Sequence, residues 1–268
     1  MTLVIQKPWY AKKSSGGVWV PKSWNGYTDF YGGNVWTDGE DIYYSSYDQY
    51  GGTNKQYVLN KSTSTWATKT WRGLTQFNAS YIWTDGENIY YSQDTNQYVL
   101  DKSTSTWSKK TWIGLRSFGG DNVWFDGDNI YWSNGTYQYI LQKSTNNWNP
   151  KTWQGFTTIN GTRIWTDGDN IYHTYAREHY VLNKSTSTWA TKTWYGWAEY
   201  VYPSYIWTDG NNIYYSANNN QYVLDKSTST WSSKTWQGLS NPDGSSIWTD
   251  GNNTYCSSGT NNHYVLQK

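Results

Sequence analysis

Trp83-Thr84-Asp85-Gly86-Glu87-Asn88-Ile89-Tyr90-Tyr91-Ser92, continued by Gln97-Tyr98-Val99-Leu100-Asp101-Lys102-Ser103-Thr104-Ser105-Thr106-Trp107 and by Lys110-Thr111-Trp112-Ile113-Gly114, is one copy of a unit written six times along the chain. Its opening Trp-Thr-Asp-Gly recurs at Trp36, Trp83, Trp165, Trp207 and Trp248, with Trp-Phe-Asp-Gly at Trp124, at spacings of 47, 41, 41, 42 and 41 residues. Its closing Lys-Thr-Trp-x-Gly places Trp71, Trp112, Trp153, Trp194 and Trp236, with Lys22-Ser23-Trp24 as an N-terminal variant. Five residues before each of these stands another tryptophan: Trp19, Trp66, Trp107, Trp148, Trp189 and Trp231. Together the three series account for 18 of the 21 tryptophans, so the repeat decides the reading before any single element does.

Within one unit, four runs rich in β-branched and aromatic residues are separated by Gly, Asn, Asp and Ser. The expected strands are 81–84, 89–92, 97–100 and 106–112, with a tight turn over Asp85-Gly86-Glu87-Asn88. Helical periodicity is absent. Four short strands per ~41 residues make one blade of a propeller. Six copies therefore predict an all-β, six-bladed β-propeller with four-stranded blades, one domain spanning 1–268. The last copy stops at Tyr264-Val265-Leu266, before its fourth strand, whereas Val18-Trp19 to Trp24 is a fourth strand without the preceding three. Pairing these two segments completes the sixth blade and removes a sheet edge. Residues 2–10 have no assigned role.

The unit resembles the kelch repeat. Asp85-Gly86, Ile89-Tyr90, Tyr98-Val99-Leu100-Asp101, Thr104 and Trp107 follow that family's order of a glycine turn, an Ile-Tyr strand and an Asp-x-x-Thr-x-x-Trp stretch, and Asp225, Thr228 and Trp231 repeat it. The resemblance covers nearly the whole chain and implies a closed propeller. It departs at the second strand, where the family's Gly-Gly pair is replaced by Tyr91-Ser92 and its equivalents.

Strand directions alternate in a blade, so the Thr-Asp-Gly and Lys-Ser-Thr-Ser-Thr turns share one end and hardly vary. The second-to-third connections (45–56, 92–97, 133–138, 174–179, 216–221, 257–263) and the blade-to-blade connections (25–34, 72–80, 113–121, 154–162, 195–204, 237–245) share the other end and differ in length and content. Variable loops on a repeated scaffold are where binding is expected. Tyr195-Gly196-Trp197-Ala198-Glu199-Tyr200-Val201-Tyr202-Pro203 concentrates aromatics, Tyr175-Ala176-Arg177-Glu178-His179 brings charge, and the first junction offers Tyr27, Phe30 and Tyr31. Candidate partner-binding residues are Tyr195, Trp197, Tyr200, Tyr202, Arg177, His179, Tyr27, Tyr31 and Tyr47. Exposed aromatics beside polar groups suit stacking on a sugar or anchoring a protein. The recurring tryptophans are expected to pack between blades; exposure of the series at Trp71, Trp112, Trp153, Trp194 and Trp236 would instead suggest one sugar site per blade.

Composition excludes several classes. A formal net charge of +1, with Lys and Arg scattered, argues against nucleic acid or an anionic membrane as the main partner. The lone Cys256 forbids an internal disulfide and reads as a packed residue. No apolar run reaches the ~20 residues of a membrane span, and the first residues lack the apolar stretch of a secretion signal. The Asp-Gly turns lack the acids of a calcium loop. The four Glu (Glu40, Glu87, Glu178, Glu199) and four Arg (Arg72, Arg116, Arg163, Arg177) show no catalytic grouping, and His173 and His179 read as a solvent-facing pair. No catalytic residue, metal site or cofactor is expected. The expected role is a non-enzymatic binding or structural propeller. Its polar, Asn-, Ser-, Thr-, Tyr- and Trp-rich make-up looks like a component of a bacteriophage particle or another surface-attachment protein, docking other virion or surface proteins or a host glycan. The alternative is a multivalent lectin.

Overall fold

The computed structural model describes residues 17–46, 55–175, 177–196, 205–217 and 220–267. They form six separate sheets, each built on four antiparallel strands, consecutive in five blades and closed by the N-terminal strand in the sixth. In blade two these are Ile82–Thr84, Ile89–Gln93, Asn96–Asp101 and Thr106–Lys109. The inner strand begins one residue later than the sequence suggests, because Tyr81 closes a 3-10 turn, Ala79–Tyr81, that leads into it. Equivalent turns at Gly32–Asn34, Gly120–Asn122, Gly161–Arg163 and Gly244–Ser246 precede other inner strands. They crowd one another: a Cβ on Gly120 would lie 2.3 Å from the Tyr81 carbonyl oxygen, and one on Gly161 2.1 Å from that of Asn122. The first strands therefore converge on a common axis.

Closure is as expected. Val18–Pro21 pairs antiparallel with the last strand, in the register Val18–Gln267, Trp19–Leu266, Val20–Val265 and Pro21–Tyr264. Trp19 is buried in the resulting cluster with Trp207, Trp236, Cys256 and Leu266.

Each blade's core is shared with its neighbour. Trp36 and Tyr43 of blade one pack with Trp71, Phe77, Ile82, Ile89, Tyr91, Leu100 and Trp107, and Trp83 and Tyr90 play the same part toward blade three. The inner-strand tryptophan stacks on the second-strand tyrosine at 4.3–4.4 Å in every blade. Wide flat rings fill the wedge between diverging sheets, and offset or edge-to-face ring pairs add to the area buried.

The repeated polar letters serve these joints. In Thr-Asp-Gly, Asp85 Oδ1 accepts from the backbone of Glu87 and Asn88, and its Oδ2 accepts from the Tyr90 hydroxyl at 3.0 Å. Asp126, Asp167, Asp209 and Asp250 repeat the bond with Tyr131, Tyr172, Tyr214 and Tyr255. Trp83 Nε1 donates to Ser92 Oγ at 2.9 Å, and each blade has an equivalent hydroxyl. Lys102, Lys143, Lys184 and Lys226 each donate from their turn to a carbonyl in the Thr-Asp-Gly turn of the preceding blade, so both invariant turns do share one end.

The fourth strand ends earlier than the sequence suggests, at Lys109. Beyond it Lys-Thr-Trp-x-Gly crosses to the next blade. Ile113 donates to Asn146 and accepts from Trp148, at 3.1 and 2.9 Å, extending that sheet outward by a parallel bridge. The lysine amine lies 4.6–4.8 Å over the motif's own tryptophan ring. In five copies it also donates to the Ser or Asn of the next blade's turn, held at a φ of 53–55°.

Candidate functional site

Blade-to-blade and second-to-third connections stand at the end opposite the invariant turns, and three of the exposed large aromatics stand there: Tyr31 (55%), Tyr137 (68%) and Tyr175 (44%). The other exposed large apolar side chains among the described residues, Ile113 and Tyr195, occupy the x of Lys-Thr-Trp-x-Gly. Tyr195 is thus not a loop-end residue. Its backbone is tied to Ser229 and Trp231 at the outer edge of blade five, while its ring projects into solvent.

Tyr27 is built into blade one. Its ring stacks on Tyr57 at 4.1 Å and on Tyr44 at 5.6 Å, half-buried, and burial raises its pKa. Leu74, Leu115, Phe156 and Leu239 follow the motif glycine at the same place and are packed likewise. Trp197 holds this position in sequence, but Trp197, Tyr200, Tyr202 and Tyr47 all lie outside the described residues. Tyr31 sits at the junction of blades six and one, in a bridge with Ser258. Arg177 and His179 stand on blade four, so the structure does not bring Tyr31 together with them.

The three histidines are packing residues, which corrects the expected solvent-facing pair. His173 is fully buried in the second strand of blade four, at the slot filled by Tyr44, Tyr91, Trp132, Tyr215 and Cys256 elsewhere. Its Nε2 accepts from the Asn160 amide at 3.2 Å, which puts the proton on Nδ1, a buried atom with no partner. His179 takes the slot of Gln56, Gln97, Gln138 and Gln221 and meets Thr174 Oγ1 through Nδ1 at 3.4 Å. His263 takes the same slot in blade six, stacked on Phe30 at 4.4 Å with Nε2 on the Thr28 carbonyl at 2.6 Å.

Burial holds His173 at a pKa of about 3, with Arg163 adding to the effect, and burial holds His179 at about 4. Both are therefore neutral in the fold, whereas the unfolded chain takes up their protons near 6.5. Their contribution to stability is complete above about pH 6.5 and is lost as pH falls from there toward the folded values. Each adds a slope of about 1.4 kcal/mol per pH unit in that window. Denaturant unfolding between pH 6 and 4.5 is expected to show it. His173→Tyr, which installs the residue of blades one, two and five, should flatten the slope by about that amount.

Blade four also carries what the sequence did not single out. Phe156 stacks on Tyr180 at 4.1 Å and meets Tyr175 at 6.0 Å, and the Tyr180 hydroxyl donates to Glu178 at 2.8 Å. Arg163, exposed at the end of its 3-10 turn, lays its guanidinium over the Tyr175 ring at 5.2 Å. The Asn160 side chain caps that turn by accepting from Thr162 N, and the Asn160 amide is held by His173. A column through the repeats would have found Arg163. Two residues before the inner tryptophan stand Asn34, Tyr81, Asn122, Arg163, Tyr205 and Ser246, and one of the six is charged.

Among the described residues no group of three His, Cys, Asp or Glu is placed to hold a metal ion, and no helix is long and apolar enough to cross a membrane. No protein-family model matches the chain, and no curated protein matches it. Its class is defined by its architecture: a six-bladed β-propeller, a fold that fits a binding or structural role.

Proposed function

We propose that this propeller works by binding, without catalysis, through the variable loop end of its blades. One contrast carries the reading. The tryptophans at Trp71, Trp112, Trp153, Trp194 and Trp236 are buried at 2–9% exposure, whereas Tyr31, Tyr137 and Tyr175 stand open at one end. The Trp-Thr-Asp-Gly carboxylates cap turns and the histidines fill packing slots, which supports a role without acid–base chemistry.

The reading extends to a component of a virus particle or surface-attachment assembly, with other virion or surface proteins, or a host glycan, as partner. The polar composition and the kelch-like order of the repeat support it by analogy. Six equivalent lectin sites fit less well. The buried tryptophans offer no sugar platform, and the outward x positions of the repeat differ from blade to blade: Asn25, Arg72, Ile113, Gln154, Tyr195 and Gln237.

Binding of the labelled chain to a panel of cell-surface glycans and to intact cells tests this. Tyr31→Ala combined with Tyr137→Ala is expected to weaken binding about tenfold, the loss of one or two aromatic anchors. Thr63→Ala combined with Thr104→Ala, at the invariant end, should leave binding unchanged. The reverse pattern would refute the assignment of the face.

A further inference from the structure

We infer that Arg163 and Tyr175 of blade four form a recognition site for a carboxylate-bearing sugar ring; this deepens the reading above and rests on it. The two residues come from different segments and meet at the loop end of one blade. Arg163 closes the turn before the inner strand, and Tyr175 ends the second strand. The guanidinium carbon lies 5.2 Å over the centre of the ring. An arginine held this way has lost part of its side-chain freedom before a ligand arrives, and its fork of N–H donors matches a carboxylate with two parallel bonds.

Arg163 has no carboxylate within ion-pair distance among the described residues, where the ion pairs are Lys184–Asp128 and Lys226–Asp169. Arg177, on the adjoining hairpin, is the second arginine of this blade. On that hairpin Glu178 accepts from the Tyr180 hydroxyl at 2.8 Å. Half of the chain's four arginines thus gather on blade four.

The aromatic part supplies the rest. Tyr175 remains 44% exposed although Phe156 and Arg163 both touch it. Phe156 in turn is clamped on Tyr180, so the platform is backed by a packed pair. A pyranose can lay axial C–H groups against the part of the ring left open while its carboxylate reaches the guanidinium. Exposed Thr157 and Thr158 lie in the connection between Phe156 and the Arg163 turn and suit sugar hydroxyls. A neutral sugar would leave the guanidinium unused, and a simple inorganic anion would leave the ring unused.

The test is calorimetric titration of a galacturonic acid tetrasaccharide into the full chain, beside its methyl ester, which keeps the rings and removes the charge. The acid is expected to bind with one site per chain and the ester about tenfold or more weaker, the scale of one charge-assisted hydrogen-bond pair. Arg163→Lys, which keeps the charge but not the fork, and Tyr175→Ala should each cost about tenfold. Both positions are exposed, so the variants should unfold at the wild-type temperature. Equal binding of acid and ester, or an Arg163→Lys affinity within twofold of wild type, would overturn the inference. So would absence of binding at millimolar acid; if another ligand then still loses affinity in the Tyr31 and Tyr137 variant, the ligand class fails and the binding face stands.

Discussion

Replacing Trp19 by Ala is expected to lower the unfolding free energy by about 3–5 kcal/mol, the cost of emptying a tryptophan-sized space in a packed core. For a chain of this size that is roughly 10 °C in Tm. The ring is 1% exposed and packs edge-on against Trp207 and Trp236, both at 5.9 Å. Trp107 occupies the same slot in blade two with equal burial, so Trp107→Ala is the proper reference. The two differ in tethering. The strand carrying Trp107 is joined to its partner by a short turn, and losing the ring leaves its pairing in place. Val18–Pro21 is joined to the last strand by pairing alone, with the Trp19 amide bonded to Gln237 at 2.9 Å and the ring in the cluster beneath. Removing the ring therefore releases a strand and exposes an edge. Trp19→Ala should lose more Tm than Trp107→Ala and speed hydrogen exchange across His263–Gln267 by a hundredfold or more. Equal losses, with that strand equally protected, would show that closure does not depend on the latch.

The latch was legible in the sequence because it follows from counting: five complete units, one unit short of a strand, and one spare strand. The blade number, the sharing of one end by both invariant turns and the burial of all three tryptophan series were legible for the same reason. Each letter is repeated, and repetition separates scaffold from variation. The surroundings of the candidate residues were less legible. Tyr27 looked like a loop aromatic because it follows a turn, yet its neighbours across the repeats are Leu74, Leu115, Phe156 and Leu239, the mark of a packing slot. His173 looked polar and free, but its column reads Tyr, Tyr, Trp, Tyr and Cys, a buried column. Tyr195 reads as a loop residue because nothing local reveals that the chain there adds a parallel bridge to the following blade. That is a contact between units, and periodicity within a unit carries no signal of it. The contact of Arg163 with Tyr175 leaves no trace in the sequence for a related reason: 12 residues separate them, and strand register alone decides that they meet.

That same contact between units makes the motif glycine a sensitive backbone position, and Gly114→Ala is expected to cost about 4 kcal/mol or more. Two effects add. Gly114 has a φ of +84°, where an alanine pays about 1–2 kcal/mol. A Cβ would also stand 2.1 Å from the Trp148 carbonyl oxygen, a backbone atom that cannot swing aside. The bridge must open, losing the bonds of Ile113 to Asn146 and Trp148, at 3.1 and 2.9 Å. Each is worth about 1 kcal/mol, and more where a buried group is left unpaired. Gly86 separates the two effects: its φ is +92°, yet nothing lies within 4 Å of its Cβ position. Gly86→Ala should therefore lose only the conformational part, about 1–2 kcal/mol, and Gly86→Asn less, since Asn tolerates positive φ. Gly114→Asn gains no such relief, because the obstacle there is the neighbouring backbone. Denaturant midpoints for the four variants decide it. A Gly114→Ala midpoint equal to that of Gly86→Ala would mean that the blades have room to part, and that the parallel bridge follows blade packing without enforcing it.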